Sequence, residues 1–302
     1  MLNEEGLKLL FVINPVSGGK SKENWESRIK EYFKNLPHIV EIYLLGGEHD
    51  ADSMRHYIST WKPDRVIAVG GDGTIKAVAE NLVGSHISLG IIPAGSANGM
   101  ARELGLPVEL EKNLDIILHG EMKKMDVVQI NDKEISIHLS DIGLNALLIK
   151  YFERNKGRGK WGYFKAIFRT LWDKQLMDVH ISANGVDTRR KAFMIVLANA
   201  SKYGTGALIN PQGDLYDGEF ELIIVKRLAL AELIKMLIQH REFNPNKIDI
   251  IKVKEVTLTT TKKAYFQVDG EYRGKTTSIR ASILPAKLNI MLPSASGQTQ
   301  QA

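Results

Sequence analysis

Over the first ~125 residues, short β-branched runs alternate with amphipathic stretches, the pattern of a parallel sheet with crossover helices. Leu9–Ile13, Ile39–Leu44, Arg65–Val69 and Ile87–Ile92 read as buried strands. Between them, Lys22–Leu36 is predicted helical and puts Trp25, Ile29, Tyr32 and Phe33 on one face. A second helix is expected to start from Asp50 or Asp52, either of which can cap it, and to turn Met54, Tyr57, Ile58 and Trp61 inward. Thr74–Leu82 and Ala97–Leu104 are predicted helices that each follow a glycine-rich turn directly.

Beyond Asp126 the texture changes to short strands: Val127–Ile130, Glu134–Leu139, Val179–Ala183, Ala192–Leu197, Phe220–Val225, Ile248–Val253, Val256–Thr260 and Ala264–Val268. Tight turns such as Asn131-Asp132 and Asn184-Gly185 join several of them, the latter a strong hairpin signal. Helices are expected near 144–154, 162–172 and 229–240. The pattern predicts an α/β chain: a Rossmann-like parallel-sheet domain over 1–126, and an antiparallel sandwich or flattened barrel over 127–292. A small, polar tail at 293–302 is expected to be disordered.

Composition narrows the chemistry. With no cysteine, disulfides, thiolate metal sites and a cysteine nucleophile are excluded. The N-terminus lacks the order of a signal peptide, and no apolar run approaches the ~20 residues that span a bilayer. A cytoplasmic location is expected, with any membrane contact peripheral. Lysine and arginine outnumber the acids by 40 to 35, and the excess is local. Lys150, Arg154, Lys156, Arg158, Lys160, Lys165, Arg169 and Lys174 face only Glu153 and Asp173 within residues 150–174. Trp161, Phe164, Phe168 and Trp172 would share one helical face there. Such a segment suits an anionic membrane surface. Equally, the aromatics could be core and the lysines a solvated face. Basic charge confined to one segment argues against nucleic acid, and a homodimer is left open.

Three glycine-rich loops each follow a predicted strand and precede a helix: Asn14-Pro15-Val16-Ser17-Gly18-Gly19-Lys20, Gly70-Gly71-Asp72-Gly73-Thr74, and Pro93-Ala94-Gly95-Ser96-Ala97-Asn98-Gly99. At the carboxyl end of a parallel strand, glycine lets backbone amides face a ligand, and the helix N-terminus favours an anion. One such turn can equally be a plain strand end. Three in successive units point to phosphate. The standard phosphate motifs fail: a P-loop ending at Gly19-Lys20-Ser21 would need glycine at Asn14, and a dinucleotide fingerprint would need it at Lys76. The eight histidines are scattered and form no H-E-x-x-H. Asp72 among glycines would repel bare phosphates, which suggests a divalent cation between them.

Together with Leu106-Pro107, Asp214-Leu215-Tyr216-Asp217-Gly218-Glu219-Phe220 and Phe266-Gln267-Val268-Asp269-Gly270-Glu271, these loops resemble the diacylglycerol kinase catalytic-domain family, which includes bacterial lipid kinases, sphingosine kinases and ceramide kinases. The resemblance implies a nucleotide domain followed by a β-sandwich lipid domain, with the active site in the cleft between them. The strands near Ser278–Ile283 and Lys287–Met291 are candidates to return to the first domain. It further implies ATP and Mg2+ as cofactors and a lipid substrate met at a membrane surface. By position, Asn14, Pro15, Ser17, Gly18, Gly19, Lys20, Gly70, Gly71, Asp72, Gly73, Thr74, Ser96 and Asn98 correspond to the nucleotide-binding set. Glu271 corresponds to the general base, with Asp72 as its catalytic companion, and Asp214, Asp217 and Glu219 to a structural magnesium site bound partly through backbone oxygens. On spacing alone, Asp-Gly-Glu is also ordinary turn chemistry, and the acidic stretch is also a solvated turn.

Two features depart from the family pattern. Many bacterial diacylglycerol kinases read Asn-Asp-Phe where this chain has Asn98-Gly99-Met100, a version closer to sphingosine and ceramide kinases. A threonine after the second strand has no clear match in Leu44-Leu45-Gly46-Gly47. A sphingoid-base or ceramide-type kinase, an NAD kinase sharing Gly-Gly-Asp-Gly-Thr, and a non-catalytic nucleotide- or lipid-binding regulator therefore stand as alternatives to a diacylglycerol kinase.

Overall fold

The computed structural model describes residues 6–17, 24–46, 50–143, 146, 176–202, 208–226 and 247–294. Apart from Ala146, the expected helices near 144–154, 162–172 and 229–240, the basic aromatic segment 150–174 and the tail from 295 lie outside the described residues. The chain forms two units, Met1–Met125 with Ala286–Ala302, and Asp126–Pro285.

In the first unit, β1 (Lys8–Ile13), β2 (Ile39–Leu44), β3 (Arg65–Gly70) and β4 (Ser88–Pro93) pair in parallel in the order β2-β1-β3-β4. The central strands β1, β3 and β4 are buried almost throughout, which is why they read as continuous apolar runs rather than alternating ones. On the edge strand β2, Ile39 and Leu44 remain exposed. Beside β4, the chain returns in the last part of β14 (Glu271–Leu292), where Ile290 pairs in parallel with Leu89.

Among the described residues, five helices accompany this sheet: α1 (Trp25–Phe33), α2 (Asp50–Trp61), α3 (Asp72–Leu82), α4 (Gly99–Glu103) and α5 (Leu110–His119). Helix α1 is shorter than its periodicity suggests, because the Asn24 side chain caps it by accepting the Ser27 amide at 3.1 Å. Ile29 and Phe33 are buried, while Trp25 and Tyr32 pack half-buried against the same cluster. Asp52 is not a cap: helix α2 begins at Asp50, and Asp52 pairs with Arg55 within it. Helix α5 was not expected. Its Leu110, Leu114, Ile117 and Leu118 bury one stripe, and the Ile117 side chain fits over Gly90 of β4, where a Cβ would stand 2.9 Å from it. Arg65 donates to the Ile117 and Leu118 carbonyls and so satisfies the end of this helix.

The second unit is antiparallel. Its strands are β5 (Glu121–Ile130, which begins in the first unit), β6 (Glu134–Ser136), β7 (Leu139–Gly143), β8 (Met177–Ala183), β9 (Val186–Ala192), β10 (Met194–Ala198), β11 (Phe220–Val225), β12 (Ile248–Val253), β13 (Glu255–Val268) and β14. The main order is β12-β11-β10-β7-β13-β14, and the β8–β9 hairpin pairs with β13. Ile195, Leu197, Leu222 and Ile224 belong to one apolar cluster. Their neighbours Met194, Val196, Ile223 and Val225 belong to another. Both faces of β10 and β11 are therefore buried.

Asn184 and Gly185 both take positive φ (51° and 74°), as the two-residue hairpin turn requires. The expected single strand Glu134–Leu139 is broken into β6 and β7. The amides of Ile137 and His138 donate to the Asp269 carboxylate, each at 3.0 Å, so they cannot join a ladder. The two expected strands Val256–Thr260 and Ala264–Val268 are instead one, β13, joined through a register shift against β14 between Thr259 and Ala264.

Candidate functional site

The strand order of the first unit locates its crevice. From β1 the chain steps outward to β2, then returns to the other side of β1 as β3. Open parallel sheets bind ligands at the carboxyl ends of the strands flanking such a reversal. Those ends carry Asn14 after β1 and Gly70–Thr74 after β3. The third loop, from Pro93, follows the adjacent β4.

The three loops are tied to one another by named contacts. Asn14 donates its amide to the Val69 carbonyl at 3.1 Å and its Nδ2 to the Thr74 hydroxyl at 3.3 Å, while its Oδ1 accepts the Val16 amide at 3.1 Å. The Ser17 amide turns back to the Asn14 carbonyl at 3.2 Å. Between the second and third loops, the Ala94 amide donates to the Gly70 carbonyl at 2.9 Å. Gly71 and Gly95 meet backbone to backbone: a Cβ on Gly71 would lie 3.3 Å from the Gly95 Cα, and one on Gly95 would lie closer still to Gly71. Gly70 is constrained too, since a side chain there would collide with Thr74. These glycines are needed for close approach, not only for turning.

Several predicted nucleotide contacts prove to hold the loops themselves. Thr74 is buried, with its hydroxyl facing Asn14. Asn98, at a left-handed φ of 51°, accepts the Gly95 amide at 2.8 Å and donates to the Gly95 carbonyl at 2.9 Å, so it closes its own loop. Pro15, Gly73 and Ser96 are exposed, and Asn14 and Ser17 are half-buried. Gly18, Gly19 and Lys20 lie outside the described residues.

Asp72 has a partner that local sequence does not reveal. Its Oδ2 accepts the Gly99 amide at 3.0 Å and its Oδ1 the Met100 amide at 2.9 Å, the first two amides of α4. A carboxylate held by two amide donors at a helix start is stabilised without a metal. Asp72 therefore does not require a cation beside it. Among the described residues, no group of three or more His, Cys, Asp or Glu is placed to hold a metal ion. That includes Asp214, Asp217 and Glu219, whose carboxylates do not gather as a cage. The Asp214 Oδ1 accepts the Tyr216 amide and the Asp217 Oδ1 the Glu219 amide, each at 3.0 Å.

Glu271 lies in the second unit, directly after the turn joining β13 to β14. Asp269 (φ 49°) and Gly270 (φ 87°) form that turn. Asp269 is anchored by three donors, the Ser136 hydroxyl at 2.8 Å and the Ile137 and His138 amides. On the other side, Gln267 accepts the Gly270 amide at 2.6 Å and donates to the wholly buried Asp141 at 2.5 Å. Glu271 itself accepts from Arg273 Nη2 at 2.6 Å, and Arg273 Nε reaches Glu134 at 2.9 Å. Burial works against the Arg273 cation, but the two carboxylates outweigh it and raise its pKa. Sequence reasoning missed Asp269, Gln267, Arg273 and Glu134 as supports. A polar Gln267 between Phe266 and Val268 was a local signal.

With this geometry established, comparison with known proteins is specific. Residues 8–130 match the model of the diacylglycerol kinase catalytic domain, and residues 141–292 match the model described as the YegS C-terminal NAD kinase beta sandwich-like domain. A diacylglycerol kinase of Staphylococcus saprophyticus is 30% identical over 220 residues, covering 70% of this chain and 72% of that protein. The chain belongs to the diacylglycerol kinase family. It is thereby placed among kinases. The crystal structure of a diacylglycerol kinase from Bacillus anthracis has the same fold, with TM-score 0.72 and 20% identity over 96% of this chain and 98% of that one. An NAD kinase from Archaeoglobus fulgidus in complex with ATP is a more distant fold relative (TM-score 0.54, 15% identity, 94% and 93% covered).

Proposed function

We propose that this family member is an ATP-dependent lipid kinase that transfers the γ-phosphate to the hydroxyl of diacylglycerol or a related lipid alcohol. The observation that carries the reading is the junction of three glycine-rich loops at the carboxyl ends of β1, β3 and β4, closed by the Gly71–Gly95 approach. Backbone amides gathered by these contacts suit a polyphosphate, for which positioning and charge stabilisation supply most of the catalysis. Ser17 and Ser96, half-buried and exposed respectively, are proposed as hydroxyl contacts to the nucleotide.

Glu271 is assigned as general base: its carboxylate takes the proton as the lipid oxygen attacks the γ-phosphate. Asp72 acts by fixing α4 against the second loop. Magnesium, when bound, would neutralise phosphate charge. Because the described residues do not form a carboxylate cage, it is proposed to arrive on the nucleotide.

A sphingoid-base or ceramide-type kinase is the second reading, motivated by Asn98-Gly99-Met100. Purified protein with labelled ATP and a panel of diacylglycerol, sphingosine, ceramide and phosphatidylglycerol separates the two. No labelled lipid from any of them, with nucleotide bound, overturns the kinase reading and leaves a regulator. ATP-dependent NADP formation without lipid would make the chain an NAD kinase. Turnover left intact in Glu271→Gln would remove the base assignment. Residues 150–174 are proposed as a peripheral contact with anionic membrane on the cytoplasmic side. Cosedimentation with phosphatidylglycerol vesicles, lost on neutralising Lys165 and Arg169, tests this.

A further inference from the structure

The antiparallel register of β11 and β12 sets Glu221 directly opposite Lys252. Glu221 is almost wholly enclosed, its side chain 2% exposed. Asn210 donates to its Oε2 at 2.6 Å, while Oε1 is buried without a hydrogen-bond partner. The Lys252 ammonium lies 3.7 Å from Oε1. That ammonium also donates to Asp217 Oδ2 at 2.7 Å. Burial pushes the Glu221 carboxyl up, and the bond to Asp217 raises the Lys252 pKa.

Asp217 lies in the acidic turn for which the family resemblance implies a structural magnesium. Its two carboxylate oxygens here both accept N–H donors, from Glu219 and from Lys252. Asp214 turns to Tyr216, and the Gly218 amide is taken by buried Asp126 at 2.6 Å. A divalent ion needs several oxygens converging at 2.0–2.6 Å, and the three carboxylates of the turn do not converge in this way.

We infer that the Lys252 ammonium is the resident cation of this turn, in place of a divalent metal, so that the stability of the second unit does not depend on magnesium. The position is set by strand register. A divalent ion taking Asp217 Oδ2 as a ligand would have to displace the ammonium that donates to it, and the buried Glu221 would then lose the positive charge 3.7 Å from its Oε1.

The test is thermal denaturation of the full-length, nucleotide-free, EDTA-treated protein, titrated with MgCl2 at matched ionic strength. The wild type is expected to keep its Tm across the titration. Lys252→Met is expected to lose roughly 5 °C or more and to regain part of it with magnesium. Lys252→Arg, which keeps the charge, should remain magnesium-independent. A magnesium-induced rise in the wild type that Asp214→Asn abolishes would overturn the inference, whereas a rise that survives Asp214→Asn lies at another site and leaves the turn unresponsive, as expected. A Lys252→Met protein as stable as the wild type would also overturn it. If that variant fails to fold, the wild type and Asp214→Asn titrations decide alone.

Discussion

Replacing Gly95 by alanine perturbs the candidate site at its tightest point. The new Cβ would stand well under 3 Å from the Gly71 Cα, 2.8 Å from Asn98 Oδ1 and 3.1 Å from the Gly71 amide nitrogen. Ordinary van der Waals contact begins near 3.4 Å, and the obstructing atoms are mostly backbone, so the second and third loops must separate by about 1 Å. Overpacking of this kind costs about 1–3 kcal/mol of stability. The larger effect is on function, since a displacement near 1 Å at a positioning site lowers kcat/KM by on the order of 100-fold. Steady-state kinetics with calorimetric ATP titration, and thermal denaturation, of Gly95→Ala measure the functional and stability effects separately. Gly105→Ala is the control. Gly105 has a positive φ of 66° with nothing within 4 Å, so alanine there strains the backbone by about 1–2 kcal/mol without moving either loop. It should lower Tm and leave ATP affinity unchanged. A Gly95→Ala protein with wild-type ATP affinity would refute the assignment of the loop junction as the phosphate site.

Two further substitutions test the supports. Asp72→Ala removes the acceptor of two α4 amides and is expected to destabilise by about 2–3 kcal/mol. Asp72→Asn, which keeps one oxygen, should fall midway in urea denaturation, and equal stability of all three proteins would contradict the capping role. Asp269→Ala strips three donors of their acceptor and leaves alanine at a φ of 49°, so a loss of about 3 kcal/mol is expected. Because the same turn carries Glu271, kcat should fall as well. Asp269→Asn, tolerant of the left-handed conformation, should recover part of both.

The alternation of buried runs and glycine turns was legible because those signals are local. Parallel strands enclosed on both faces must be apolar along their buried length, as β1, β3 and β4 are after their first residues Lys8, Arg65 and Ser88, and a backbone that approaches another backbone must be glycine, as at Gly71 and Gly95. The hairpin at Asn184-Gly185 was legible for the same reason, since its positive φ angles select its residues. Helix α5 escaped notice although its apolar stripe is regular, and the strand expected over Glu134–Leu139 was broken by a carboxylate far along the chain. What only the tertiary structure decided is what each charged side chain serves. Asp72 meets amides 27 and 28 residues away, Asp269 meets donors more than 130 residues away, and Lys252 reaches Asp217 across 35. A carboxylate in a turn has the same local pattern whether it binds a metal, caps a helix or pairs with a lysine. Its partner is set by strand register and helix packing, which bring together residues that no local spacing relates.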